Sequence, residues 1–188
     1  MAKYHKHETA IIEENCIIGD DTNIWHFSHV RKGARIGKNC NLGKDTYIDT
    51  DVKIGDNVKI QNSVSVWNGV TIENNAFIGP GAVFTNDLYP RSMIWNKERI
   101  KKTLVKEGAS IGANATMLCN NLVIGRYAMI GAGSVVTKNV PDYALVIGNP
   151  AKIVGYICKC GNKIIYRTKT LIKRCDECGL TAENIKKT

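Results

Sequence analysis

Three groups of residues in this 188-residue chain carry types and spacings suited to chemistry. His26 and His29 lie three apart in "WHFSHV". Imidazole titrates near ~6.5, which suits proton handling or binding of a polar substrate. Asn86, Tyr89 and Arg91 crowd into "FTNDLYPR" beside a turn-making proline. Guanidinium forks match phosphate and carboxylate, so Arg31 and Arg91 are candidate anion holders. The plainer alternatives are two corner histidines, a turn asparagine and solvated surface arginines. The third group is "CKCG", thirteen residues, then "CDECG", which sets out Cys158, Cys160, Cys175 and Cys178. Two such pairs, each followed by Gly, suggest a zinc ribbon of four thiolates. The first pair is C-x-C, tighter than the usual C-x-x-C. A closed four-thiolate site leaves no open position, so its zinc would be structural and its folding metal-dependent. The alternative is free cysteines in a loose tail.

The elements that hold these groups follow from a period of six. Every sixth residue from Ile12 to Phe84 is large and apolar, as in Ile24, Val30, Ile36, Leu42 and Ile48. Two positions earlier the residue is small or β-branched, as in Ala34, Cys40, Thr46 and Val52. A period of 3.6 does not fit six. A strand period of two, interrupted by a corner in each hexad, does. Three hexads make one triangular coil, with Asn, Asp and Gly at the corners. The coils stack as a parallel β-helix. Cys16 and Cys40 fall in the small inward slot and read as packing residues. After residue 104 the pattern resumes at Val105, slips by one residue at "CNNLVIG", and runs to Val136. About six coils are predicted, giving a column of roughly 29 Å.

The repeat stops between residues 85 and 104. A long excursion in a compact domain is usually functional, and its closure entropy is modest. It can wall a cleft and reach a neighbouring subunit. A surface loop that only caps the coil edge is the alternative. Two regions are expected: a β-helix over residues 1–155 carrying this loop, and a cysteine tail over 156–188.

"NIWHFSHV", "FTNDLYPR", "TLVKEGASIGANAT" and "IGAGSVVTKNVPDYALVIGNPAK" occur in this order. Together they resemble the hexapeptide-repeat acyltransferases, in the branch that N-acetylates amino sugars carried on a nucleotide diphosphate. The resemblance implies an all-β, left-handed parallel β-helix over residues 10 to about 155. It also implies a homotrimer, with acetyl-CoA in the groove between prisms. The substrate it implies first is the 3-amino group of UDP-2-acetamido-3-amino-2,3-dideoxyglucuronate. Members acting on dTDP-3-amino-3,6-dideoxyhexoses share most of the same segments. In this branch the Asn matching Asn86 accepts a hydrogen bond from the sugar amine. Asn cannot serve as a base, so its role would be positioning. The nucleophile belongs to the substrate, so no Ser or Cys triad is required. His26 and His29 would bind substrate, with base catalysis as the lesser role. Arg31 and Arg91 would hold the diphosphate and any sugar carboxylate, and Tyr89 would also bind substrate. CoA would lie along the last coils, past the small Ala113 and Ala132, with Lys138 and Lys152 at its phosphates. "GAGSVV" is a repeat corner rather than a P-loop, because no Gly-Lys-Ser/Thr follows.

The totals exclude other classes. Lys and Arg number 26 against 17 Asp and Glu, but no aromatic-interleaved basic motif accompanies the excess, so no nucleic-acid partner is expected. No apolar run of membrane-spanning length and no secretory h-region is present, so the chain reads as cytoplasmic and not membrane-inserted. A metal hydratase of the γ-carbonic anhydrase kind needs three His ligands around an open zinc. The chain offers His5, His7, His26 and His29, the first two ahead of the recognised repeat. A non-catalytic scaffold that uses the tail to bind a partner is the remaining alternative. Coenzyme A binding separates the acyltransferase from both.

Overall fold

Each hexad folds as a strand of two or three residues followed by a corner, and the strands stack into three parallel sheets that form the faces of a prism. The computed structural model describes residues 3–166, 169–170 and 173–186. The first face runs from His5–Lys6 to Ala144–Ile147, the second from Ile11–Ile12 to Val135–Val136, and the third from Ile17–Ile18 to Leu122–Ile124. Register is strict: His29 pairs with Tyr47, Tyr47 with Ser65, and Ser65 with Val83. Backbone groups satisfy one another between coils, as in His29 N to Thr46 O at 2.8 Å and Trp25 N to Leu42 O at 3.0 Å. The aliphatic of each hexad points inward. Ile24, Leu42, Ile48, Ile60, Ile78 and Ile111 are fully buried. Each contributes about 1.5–3 kcal/mol by leaving water.

Corners need a residue at positive φ, and Asn and Asp supply most of them, as at Asn15, Asp21, Asn39, Asp45 and Asn57. Phe27, Tyr127 and Tyr143 break that rule at φ 58, 53 and 61. Tyr127 and Tyr143 stack on each other at 5.6 Å. Beneath them only glycine fits at Gly108, because a Cβ there would meet the Tyr127 ring at 2.3 Å.

The prism has seven circuits and the first strand of an eighth, where about six were expected. The first circuit begins at His5–Lys6, whose side chains sit exposed at the open end, so no apolar residue announces it. His5 and His7 therefore belong to the prism rather than preceding it. At the other end, Val140 bridges Ile124 on the third face only four residues after Val136, and Val146 follows six residues later on the first face, paired with Ile130. The shortened corner moves both out of the six-residue register.

The irregularities gather at one edge. Ile72 pairs with Val105, where unbroken repeats would have paired it with position 90. The surplus residues form the loop, which ends at the strand Thr103–Val105. The one-residue slip at Asn121 is absorbed at the same edge one circuit later.

The tail grows out of the first face. Lys152–Ile157 pairs antiparallel with Ala144–Ile147, and Lys163–Tyr166 and Lys169–Thr170 follow. The boundary expected at residue 155 thus lies inside a strand. A second small core forms from Cys158, Ile164, Ile165, Cys175, Ala182 and Ile185, and Tyr156 packs against both cores. Among the described residues no helix is long and apolar enough to cross a membrane.

Candidate active site and metal centre

The loop leaves the edge between the second and third faces, just after the buried Phe84. Its two limbs are pinned together. Lys101 N donates to Asn86 O at 2.9 Å, and Asp87 bridges Ile100. Arg99 closes the neck: its Nε and Nη2 donate to Asp87 at 2.7 and 3.3 Å, and Nη2 also donates to Tyr89 O. The Arg99 hydrogen bond holds the Asp87 carboxyl below its ordinary 3.8. Asn96 caps the turn Lys97–Arg99 by accepting from Glu98 N at 3.1 Å. The result is a fixed position for Asn86. It is half-buried, and its side-chain amide has no hydrogen-bond partner among the described residues. Tyr89 is 74% exposed. Arg91 is also exposed, with Nη1 on Pro90 O at 3.1 Å and no ion-pair partner among the described residues. Sequence reasoning did not find the Asp87–Arg99 clasp, because nothing in linear spacing says which loop residues will face each other.

Between the loop and its own coil edge lies a cleft of about 530 Å³. Asp51, Asn68 and Gly69 line the prism side, and Trp95, Lys97 and Lys102 the loop side. By the strand register, Asn68 stands one circuit before Asn86 on the same edge, about 4.8 Å away along the column.

The second face carries His29 and Arg31, which the structure does bring together. Glu13 is their hub. Its carboxylate accepts from His29 Nε2 at 2.8 Å, Arg31 Nε at 3.4 Å and Lys32 N at 2.9 Å. The Lys32 backbone bond first, then His29, hold the Glu13 carboxyl below its ordinary 4.5. Because Glu13 accepts, His29 Nε2 carries a proton, and only Nδ1 is left to accept one. Arg31 also donates to Tyr47 OH and to Asp49 Oδ1, both at 3.3 Å. Tyr47 packs between His29 and Trp67, with ring centres at 5.7 and 5.1 Å. Glu13, Tyr47, Asp49 and Trp67 were missed. Reading every eighteenth residue from Glu13 gives Arg31, Asp49 and Trp67, so the signal was in the sequence once the coil length was known.

The remaining candidates are dispersed. His26 sits exposed on the edge between the first and second faces, stacked on His7 at 3.5 Å and 26°. Stacking brings ring faces together and not ring nitrogens, so this pair does not converge on a metal. Ala113 and Ala132 are neighbours on the same edge, joined by Gly133 N to Ala113 O at 2.8 Å. A Cβ on Gly112 would meet Ala132 N at 2.5 Å, so glycine is what lets these corners stack. His26 lies four and five circuits from them, about 19 and 24 Å. Lys138 shares an edge and register with Asn86, two circuits on, about 10 Å away. Lys152 is exposed on the terminal hairpin. His29 is three circuits from Asn86, about 14 Å, so one protomer does not bring these two together.

The cysteines do converge. The sulfurs of Cys158, Cys160, Cys175 and Cys178 all lie within 4.8 Å of one another. Cys158 and Cys160 Sγ stand 3.5 and 3.9 Å from Cys175 Sγ. A tetrahedron with Zn–S near 2.3 Å requires sulfurs roughly 3.8 Å apart, so the set fits a metal of that kind. The backbone N–H of Cys178 draws the Cys175 thiol down to about 6, and Asn162 Nδ2 donates to the same sulfur at 3.7 Å. Burial pushes Cys158 and Cys160 up. Lys159, between the first pair, lies 5.4 Å from the centre of the Tyr127 ring and ties the cluster to the prism. Cys16 and Cys40 point at backbone carbonyls, each at 3.1 Å, and pack.

The profile of the bacterial transferase hexapeptide (six repeats) matches residues 9–50 and 51–86, and that of the hexapeptide repeat of succinyl-transferase matches 33–68 and 105–138. The gap between the matches is the loop. A stretch of 78 residues is 51% identical to dTDP-3-amino-3,6-dideoxy-alpha-D-galactopyranose 3-N-acetyltransferase of Aneurinibacillus thermoaerophilus, covering 42% of this chain and 40% of that protein. Among solved structures, WeeI from Acinetobacter baumannii AYE aligns with a TM-score of 0.52 at 27% identity, over 78% of this chain and 55% of that one. A mutant of GDP-perosamine N-acetyl transferase from Caulobacter crescentus, in complex with CoA and GDP-perosamine, aligns in fold with a TM-score of 0.50 at 23% identity, over 82% and 57%. The chain thus spans less than half of that sequence relative and just over half of each of these solved chains.

Proposed function

We propose that this chain, which belongs to the hexapeptide-repeat acetyltransferase family, moves the acetyl group of acetyl-CoA to the 3-amino group of a sugar carried on a nucleotide diphosphate. The observation that carries the reading is the 51% identity over 78 residues to a dTDP-3-amino-sugar 3-N-acetyltransferase. That relative favours a dTDP-3-amino-3,6-dideoxyhexose. UDP-2-acetamido-3-amino-2,3-dideoxyglucuronate is the other reading, and the exposed Arg91, without an ion-pair partner among the described residues, supports it by offering a fork for the sugar carboxylate.

The amine attacks the thioester carbonyl, a C–N bond forms, and the C–S bond breaks. The proton lost by the amine ends on the departing sulfur. Asn86 accepts from the amine through its side-chain oxygen and aims the lone pair, which is a positioning role. Its pinned backbone and unpartnered amide suit that task. His29 is held by Glu13 through Nε2 and keeps Nδ1 for an acceptor contact, so it orients substrate, with base catalysis as the lesser role that the same arrangement also permits. His26 is an exposed substrate contact. Ala113, Ala132, Lys138 and Lys152 form the CoA path, small residues for pantetheine and cations for phosphate. A homotrimer brings the face of one prism to the loop edge of the next, which answers the roughly 14 Å between His29 and Asn86 in one protomer. The four cysteines hold a structural zinc, and the protein works in the cytoplasm.

A substrate panel tests this reading: acetyl-CoA with UDP- and dTDP-linked 2-, 3- and 4-amino sugars, following thiol release. Turnover confined to a 3-amino sugar is expected. Thiol release with none of them would end it.

A further inference from the structure

We infer that the cleft between the loop and its own coil edge holds the nucleoside diphosphate of the substrate, with Trp95 stacking on the base and Lys97 and Lys102 receiving the phosphates. The inference rests on the proposed function for the identity of the ligand, and on the geometry for the place. At about 530 Å³ the cleft falls within the range of small-molecule sites. Its walls have different origins: one is the repeat itself, the other exists only because the repeat breaks. Three features of the loop wall point to a nucleotide.

Trp95 is 64% exposed and has no ring partner among the described residues. The other two tryptophans are engaged, Trp25 with Asn41 and His26, Trp67 with Tyr47. An indole left bare at the mouth of a cleft is a stacking surface for a base. Lys97 and Lys102 form no ion pair among the described residues, whereas their neighbours are spent, Arg99 on Asp87 and Lys101 on Glu98 O. Two free ammonium groups in one cleft suit a diphosphate. On the prism wall, Asp49 is consumed by Arg31 and by the backbone of Thr50 and Asn68. Asp51 has no ion pair among the described residues, and it offers an acceptor for a hydroxyl of the nucleoside sugar. Nothing in the cleft suits the bare phosphate of an inorganic ion better than it suits a nucleotide, because the aromatic would then have no role. The position is also right. Asn68 lines the cleft one circuit from Asn86, so a nucleotide seated on Trp95 extends its sugar toward the amide that would receive the amine.

The test is calorimetric binding of UDP and of dTDP to the intact chain and to Trp95→Ala, Trp95→Phe and Lys97→Ala/Lys102→Ala. All three side chains are solvent-facing loop residues, so the variants should keep the far-ultraviolet circular dichroism of the parent. Trp95→Ala should weaken the preferred nucleotide by ~10-fold or more, and Trp95→Phe should restore most of it. The lysine pair should weaken it too and flatten its dependence on salt. Acetyl-CoA affinity should stay within about twofold in every variant. Wild-type affinity in both Trp95→Ala and the lysine variant would overturn the inference, as would failure of the parent to bind either nucleotide. If nucleotide binding depends on Trp95 but no amino sugar is acetylated, the site stands and the proposed reaction falls.

Discussion

Phe84 and Asn86 stand two residues apart at the point where the repeat stops, and they should fail in opposite ways. Phe84 is 1% exposed, the last inward side chain before the loop. Phe84→Ala removes a ring from a packed core and should cost about 3–5 kcal/mol of stability. Asn86 is half-buried, and its amide has no protein partner among the described residues to lose. Asn86→Ala should therefore leave stability within ~0.5 kcal/mol. If the amide aims the amine, its loss should cost about 2–4 kcal/mol in the transition state, roughly 30- to 1000-fold in kcat. The assay is thermal unfolding beside steady-state kinetics with a 3-amino nucleotide sugar. Uniform binding of substrate and transition state would instead raise KM at constant kcat. His26→Asn and His29→Asn should cost less than Asn86→Ala. A base role for either would appear as a larger loss, partly recovered at high pH. Near-wild-type turnover by Asn86→Ala, or a fall in its Tm matching that of Phe84→Ala, would refute the reasoning.

Three further outcomes test the cysteine tail, the Glu13 hub and the proposed trimer. Metal analysis should find one zinc per chain, and Cys175→Ser should lose it together with protease resistance of the tail; a metal-free protein with an ordered tail would contradict this. Glu13 has a depressed folded pKa, so its contribution is present above its ordinary 4.5 and is lost as pH falls through the folded value. Wild type should therefore melt above Glu13→Gln at neutral pH, with the gap narrowing as the pH falls below 4.5; a gap that does not change with pH would exclude the ionised hub. Sedimentation should give a species of three 20.7 kDa chains, and a lone monomer at working concentration would refute the proposed interface between His29 and Asn86.

The prism was legible because its two registers are long and strict, and each hexad repeats the same physical requirement. Its ends were not. Lys6 occupies an inward register at an open end, where nothing must be buried, and the shortened corner before Val140 shifts a good core residue out of step. The loop announced itself by absence of pattern, and Asn86, Tyr89 and Arg91 were visible as types. The Asp87–Arg99 clasp and the Trp95 cleft were not, since both depend on how a non-repeating segment folds back on itself. The cysteine spacing foretold the convergence of four sulfurs. It did not foretell that the tail would continue the first face as an antiparallel extension, with Tyr156 shared by both cores. Glu13, Asp49 and Trp67 needed the eighteen-residue coil to be known before their alignment with Arg31 could be read.

The most direct test of the account couples both products. Purified protein, acetyl-CoA and a dTDP- or UDP-linked 3-amino sugar are mixed, and free thiol and N-acetylated nucleotide sugar are measured in the same sample. The account predicts equal amounts of the two, growing together and abolished when either substrate is withheld. Thiol release that continues without the amino sugar, or no acetylated sugar from any 3-amino nucleotide sugar, would contradict it.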